Sequence, residues 1–208
     1  MKNVVRLFAV LASLCAAGAA FAADKAGTPA ADKADTFAID HVMGKADAPI
    51  TIIEYASTTC GHCANLHTET LPKIKAEWID TGKAKLIYRD FPTAPAHMSI
   101  GASMIAHCAG PERYYGVLAL IMEQQHKWME SSNPLDSLKK LVRIAGITGQ
   151  DVDACLGRQD LANAIQDRAR AGNTTFGIEA TPTMIINGTV VEGHDPEKIF
   201  QVLKDAAK

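Results

Sequence analysis

The period of the apolar positions changes several times along this chain, and each change predicts an element. PITIIEYAS (49–57) is a β-branched run bounded by Pro49 and Ser57, the pattern of a buried strand. Apolar side chains then recur at helical spacing through Leu66, Leu71, Ile74 and Trp78, until Gly82 in DTGK offers a C-terminal stop. KAKLIYRDF (83–91) is strand-like again. Strand, helix, strand in that order predicts a βαβ unit with parallel strands. From about Pro95 to Gly177 the period is helical, in segments near 97–109, 112–128, 134–145 and 150–172. Leu135, Leu138, Leu141, Val142 and Ala145 form one such stripe, behind an Asn133 cap and a first-turn Pro134. TMIING (183–188) and TVVEG (189–193) then flank Asn187-Gly188, a two-residue hairpin turn. The chain closes on a helix, DPEKIFQVLKDAAK (195–208), capped by Asp195 with Pro196 in its first turn.

The two β-containing parts are too small to fold separately. The predicted architecture is therefore one α/β domain, 37–94 with 178–208, that carries an inserted helical domain, 95–177. Residues 23–36, ADKAGTPAADKADT, offer almost no core side chains and read as a tether.

The N-terminal segment predicts an exported domain. The first 22 residues, MKNVVRLFAVLASLCAAGAAFA, have a basic start at Lys2 and Arg6, an apolar run, and Ala20-Phe21-Ala22. That is the order of a secretory signal peptide. The run is too short for a lasting membrane span. Cys15 lies inside it, after Leu14, and is predicted to leave with the signal. The remainder is predicted to be exported to the periplasm. The whole chain carries a formal charge of −2, more negative once Lys2 and Arg6 are gone. That balance lacks the basic footprint of a nucleic-acid binder.

Four cysteines remain: Cys60, Cys63, Cys108 and Cys155. An even count in an exported chain suggests two disulfides. Cys60-Gly61-His62-Cys63 falls where the first long strand gives way to a helix. Free N–H groups and the positive end of the helix dipole favour a thiolate there. A protonated His62 adds positive charge, so Cys60 is expected well below the ordinary thiol pKa near 8.5. Cys63 lies on the same helix face and is more buried. An exposed Cys60 then exchanges disulfides with a substrate while Cys63 resolves the mixed disulfide. A zinc site wants a second closely spaced pair, which Cys108 and Cys155 do not form, so no metal and no cofactor is predicted. His41, His67, His97, His107, His126 and His194 show no ligand spacing and read as surface or core residues. Far downstream, Thr181-Pro182 immediately precedes an apolar strand.

IIEYASTTCGHC, RDFP and GIEATPTMIINGTVVEG, in this order around a helical block, resemble the DsbA-like branch of the thioredoxin superfamily. The resemblance covers essentially the whole chain after the tether. It implies a thioredoxin-like fold with an inserted helical domain. It implies that Pro182 is cis and packs beside Cys60, and that Thr181 presents backbone groups to an extended substrate as an added strand would. It also implies that Glu54, a polar residue in an apolar strand, is a buried acid under the site that accepts protons during exchange. An ion-paired Glu54 without a redox role is the other reading. Some DsbA-like proteins carry a second disulfide, which favours a structural bridge between Cys108 and Cys155. Loop closure would make it worth on the order of 4 kcal/mol. Two buried free thiols or a second reactive pair are the alternatives.

The direction of electron flow is a question of energy. Thiol–disulfide proteins range from about −270 to about −120 mV, a gap of about 7 kcal/mol. Five units of pKa are equally large, at about 1.36 kcal/mol each. Stabilising the Cys60 thiolate can therefore turn a reductant into an oxidant. The expected function is a monomeric thiol:disulfide oxidoreductase that introduces disulfides into reduced, unfolded exported proteins. A quinone-linked membrane partner resembling DsbB would reoxidise it. An isomerase or reductase on the same fold is the alternative, and a non-catalytic binding or metal module a more distant one.

Overall fold

The computed structural model describes residues 40–208; the expected signal peptide (1–22) and tether (23–36) lie outside them. Five strands form one mixed sheet in the order β1-β3-β2-β4-β5. They are β1 Val42–Met43, β2 Ile50–Ala56, β3 Ala84–Asp90, β4 Thr183–Ile186 and β5 Thr189–Glu192. β2 and β3 run parallel, in register from Ile50↔Ala84 to Ala56↔Asp90. β4 is antiparallel to β2, with Tyr55 opposite Thr183, and β5 is antiparallel to β4. β1 was not anticipated. Two residues are too few to display a period, and this strand exists because Val42 and Met43 pair with Ile87 and Leu86.

The β4–β5 turn takes positive φ at both central residues, 45° at Asn187 and 90° at Gly188. Those signs match the twist of a two-residue hairpin. Asn187 Oδ1 also accepts from the Thr51 N–H at 2.8 Å, which pins the hairpin to β2.

The helix after β2 runs as Gly61–Asn65, a wider π stretch Leu66–Thr70, Leu71–Ile74, and a second π stretch Lys75–Ile79. Pro72 has no N–H to give residue 68, and its ring crowds that carbonyl; the first wide stretch relieves both. Between β3 and β4 lie the helices Ala96–Cys108, Tyr114–Glu123, Gln125–Met129, Pro134–Val142, Gly149–Leu156 and Gln159–Phe176. Two of the expected segments are thus broken. Gln124 leaves helical geometry at φ −104°, ψ 19°, and Arg158 at φ −81°, ψ 87°. Asn133 caps Asp136 N–H, and Thr148 forms a reciprocal capping box with Asp151.

One apolar core lies between the sheet and its neighbouring helices, through Ile52, Leu66, Ile74, Leu86, Met184, Ile199 and Leu203. A second fills the space among the helices between β3 and β4 and reaches Ala56, Cys63 and Tyr88. Each buried Leu, Ile or Met among them contributes about 1.5–3 kcal/mol by leaving water. Ionic contacts tie the layers together. Asp40 receives Arg168 Nη1 at 2.6 Å on one oxygen and Arg89 Nη2 at 3.0 Å on the other. Gly172 in the helix Gln159–Phe176 lies so close to Tyr55 that any Cβ there would overlap the ring.

Candidate active site

β2 ends at Ala56, and Ser57-Thr58-Thr59 carries the chain to Cys60, the N-cap of the helix that starts at Gly61. This short loop is held from several directions. Ser57 Oγ accepts from the Thr59 and Thr93 N–H groups at 3.3 and 3.2 Å, and lies 2.9 Å from Ser99 Oγ. Gln125 is buried and its Nε2 donates to the carbonyls of Thr58 and Cys60 at 2.9 and 3.0 Å. Three other segments, at Thr93, Ser99 and Gln125, therefore fix where the first cysteine sits.

The two thiols are unbonded to each other and occupy unequal surroundings. Cys60 is half-buried, and its Sγ lies 3.5 Å from the carbonyl oxygen of Thr181. The Thr181–Pro182 peptide bond is cis. Cys63 is fully buried, with the Ser57 N–H at 3.5 Å from its sulfur. The Cys60 pKa is pulled down to about 5. The largest cause is a hydrogen bond from the Cys63 thiol; partial burial opposes it. The Thr181 hydroxyl and the N–H groups of Cys63 and His62 add to the lowering. The Thr181 carbonyl acts the other way, since it can pair only with a protonated thiol. Cys63 is pushed far above the usual thiol range, first by burial and then by giving its proton to the bond with Cys60. The dithiol thus holds one proton, on the inner sulfur, and one negative charge, on the outer.

The His62 backbone N–H is one of the groups that favour the thiolate. The exposed imidazole stacks on His194, centroids 4.7 Å apart and planes at 30°.

Glu54 is fully buried on β2, and its Oε1 is 2.9 Å from His67 Nε2. Its Oε2 has no hydrogen-bond partner among the described residues. Its negative charge is one of the influences that raise the Cys63 pKa, so the acid sits within field range of the inner thiol. His67 was read only as a surface or core histidine. A signal was present: it follows Cys63 by four residues, hence on the same helix face one turn on. Gln125 and His194 carried no such signal, because what they contact is distant in sequence.

Cys108 and Cys155 form a disulfide, Cα atoms 6.1 Å apart, joining the ends of the helices Ala96–Cys108 and Gly149–Leu156. Among the described residues, no group of three or more His, Cys, Asp or Glu could hold a metal ion. No helix there is long and apolar enough to cross a membrane.

A βαβ unit joined to a hairpin and a last helix, with a Cys-x-x-Cys at a helix start facing a cis-proline, defines a thiol–disulfide oxidoreductase with the DsbA fold. The thioredoxin family model matches residues 37–205, and the chain belongs to that family. It is 29% identical over 180 residues to a candidate protein-disulfide oxidoreductase of Rickettsia bellii, covering 82% of this chain and 67% of that one. Matches to other rickettsial relatives cover 60–70% of their length. The structure superposes on Wolbachia pipientis alpha-DsbA1 with a TM-score of 0.74 and 26% identity, over 81% of this chain and 90% of that one. Bacillus subtilis BdbD shares the fold, at a TM-score of 0.71 and 22% identity, over 81% and 93%.

Proposed function

We propose that this oxidoreductase is a periplasmic oxidase that passes a Cys60–Cys63 disulfide to reduced, unfolded exported proteins. The observation that carries this reading is the opposite displacement of the two thiols, Cys60 down to about 5 at the rim and Cys63 upward in the core. A stabilised thiolate favours the reduced form, and each unit of pKa lowering is worth about 1.36 kcal/mol, or about 30 mV for a two-electron couple.

In this scheme a substrate thiolate attacks Cys60 Sγ of the oxidised pair, and the Cys60–Cys63 bond breaks. Cys63 leaves carrying the electron pair and takes up a proton, because its buried sulfur does not tolerate charge. The Glu54–His67 pair beneath it serves as the proton donor and acceptor. A second substrate thiolate attacks the substrate sulfur of the mixed disulfide. It closes the new disulfide and releases Cys60 as a thiolate. The substrate has lost two electrons and the pair has gained them. The Thr181 carbonyl beside Cys60 and the cis-Pro182 bend position an extended substrate, and His62 contributes its N–H. Reoxidation falls to a quinone-linked membrane partner resembling DsbB. Cys108–Cys155 has a structural role, residues 95–177 act as an inserted helical domain, and the N-terminal 22 residues as the export signal.

A redox titration against glutathione, paired with oxidation of a reduced unfolded substrate, tests the reading. The expected potential lies toward the oxidising end of the range, and the double variant C60S/C63S is inactive. A potential near that of thioredoxin, about −270 mV, sinks the oxidase assignment.

A further inference from the structure

Ser57 is the residue at which β2 gives way to the cysteine loop, and each of its polar groups is engaged. Its N–H points at the sulfur of Cys63, 3.5 Å away. Its carbonyl accepts the Cys60 N–H at 3.1 Å. Its buried Oγ accepts the N–H groups of Thr59 and Thr93 at 3.3 and 3.2 Å, and the hydroxyls of Ser99 and Thr93 each lie 2.9 Å from it. The peptide plane that carries the Ser57 N–H is held on its other side as well, because the Ala56 carbonyl accepts the Phe91 N–H at 2.8 Å. A peptide unit is rigid, so fixing its carbonyl and the side chain that follows it fixes the direction of the N–H. That direction is toward the inner sulfur.

We propose that the Ser57 N–H stabilises the negative charge that develops on Cys63 during exchange, and that the Ser57, Thr93 and Ser99 hydroxyls aim it. When a substrate thiolate attacks Cys60 Sγ, the Cys60–Cys63 bond breaks and its electron pair stays on Cys63 Sγ. The inner sulfur is then charged in a core that excludes water. A disulfide or thiol sulfur accepts only a weak hydrogen bond, whereas a thiolate accepts a charge-assisted one. A donor already in place therefore strengthens most as the charge develops, as the donors of an oxyanion hole do. Burial, Cys60 and Glu54 oppose charge on this sulfur, and the Ser57 N–H favours it. The N–H keeps its own proton; proton uptake from the Glu54–His67 pair then discharges the sulfur. In the reverse step the Cys63 thiolate attacks Cys60 Sγ of the mixed disulfide and expels the substrate thiolate. That step passes through the same charged sulfur, so the same N–H serves both directions.

This inference rests on the exchange reading above, with Cys63 as the leaving sulfur. The test uses the full chain and glutathione. One rate is the opening of the oxidised pair by reduced glutathione. The other is closure by Cys63 at saturating oxidised glutathione, where that step limits. S57A frees the peptide plane and is expected to slow both on the order of tenfold, less than the outright loss of such a donor costs. The glutathione equilibrium is expected to stay at the parent value, because Cys63 is uncharged at both ends of the reaction. A merely structural defect that altered Cys60 would move the equilibrium instead. T93V removes one hydroxyl at a half-buried position and carries the test if S57A does not fold. It is expected to slow both rates about threefold, the worth of one hydrogen bond, while T93S matches the parent. In the S57A background T93V is expected to add nothing. Unchanged rates in S57A or T93V overturn the proposal, as does a change in one direction that moves the equilibrium by the same factor. A parent that does not exchange with glutathione, or exchange that survives in C60S, overturns the exchange reading itself. Normal exchange that C60S abolishes and S57A leaves untouched removes only the role of Ser57.

Discussion

The described residues contain two cysteine pairs, and they stand at opposite ends of helices. Cys60 caps the N-terminus of its helix and Cys63 lies in the first turn. Cys108 is the last residue of the helix Ala96–Cys108, and Cys155 the next to last of Gly149–Leu156. The helix dipole is positive at the first location and negative at the second, so one site favours a thiolate and the other opposes it. Exposure ranks them differently. Cys108 is exposed at the surface, whereas Cys60 is half-buried and Cys63 inaccessible. The pair assigned to exchange is thus the less exposed one. A disulfide yields when one of its sulfurs leaves easily as a thiolate. By that measure Cys60 is built to leave from the mixed disulfide it forms with a substrate, whereas the helix C-terminal positions of Cys108 and Cys155 give no such help.

The sharpest way to break this contrast is to remove the second pair. Its sequence separation is 47 residues, and closing a loop of that size is worth on the order of 4 kcal/mol in the chain-entropy model. C108A/C155A is expected to lose about that much in a denaturant melt. Its disulfide-exchange rate, measured well below the new midpoint, is expected to stay at the parent level. A collapse of exchange in the folded variant would mean that the two pairs are coupled rather than separate in role.

A smaller effect probes the loop around the first pair. Gln125 places one side-chain amide on two carbonyls, those of Thr58 and Cys60. Q125L removes both donors while filling similar space. The Cys60 carbonyl keeps the Cys63 and Ala64 N–H groups, so the expected cost is about 1–3 kcal/mol, that of leaving the buried Thr58 carbonyl without its donor. In a graded glutathione titration the midpoint of Cys60–Cys63 is expected to move and that of Cys108–Cys155 to stay. Equal movement of both would show that Gln125 supports the fold in general and not the cysteine loop.

Most of the sheet was legible in the sequence because its signals are local. The β-branched run of β2, the Asn187-Gly188 turn and the Asp195-Pro196 helix start each occupy a few adjacent residues. β1 and the helix break at Gln124 were not, since pairing and packing create them rather than any period. The site divides the same way. Cys60, Cys63 and Glu54 stand out within one short stretch. Gln125, His194 and the Asp40 clamp with Arg89 and Arg168 meet their partners across 49 to 132 positions, and nothing local marks them.

The gentlest test of the contrast uses pH. In the reduced folded protein Cys60 titrates near 5, against about 8.5 for an ordinary thiol. A depressed pKa stabilises the folded state above the ordinary value and loses that contribution as pH falls through the folded one. Cys63 acts in the opposite sense, because its raised pKa costs stability only where the unfolded thiol would ionise, above about 8.5. The window between about 5 and 8.5 therefore reports Cys60 alone. Within it, the stability of the reduced protein is expected to rise with pH relative to the oxidised protein, where Cys60 has no proton to bind. All other titrating groups are common to both forms and cancel in the difference. One proton sets an upper slope of about 1.36 kcal/mol per pH unit, and solvent screening at this half-exposed sulfur reduces it. Paired melts of the two redox forms from pH 5 to 8.5 read the slope directly. Reducing Cys108–Cys155 as well is the control, because the negative end of the helix dipole at those positions does not favour a thiolate. A flat difference for the first pair, or a comparable slope from the second, would remove the electrostatic distinction between them.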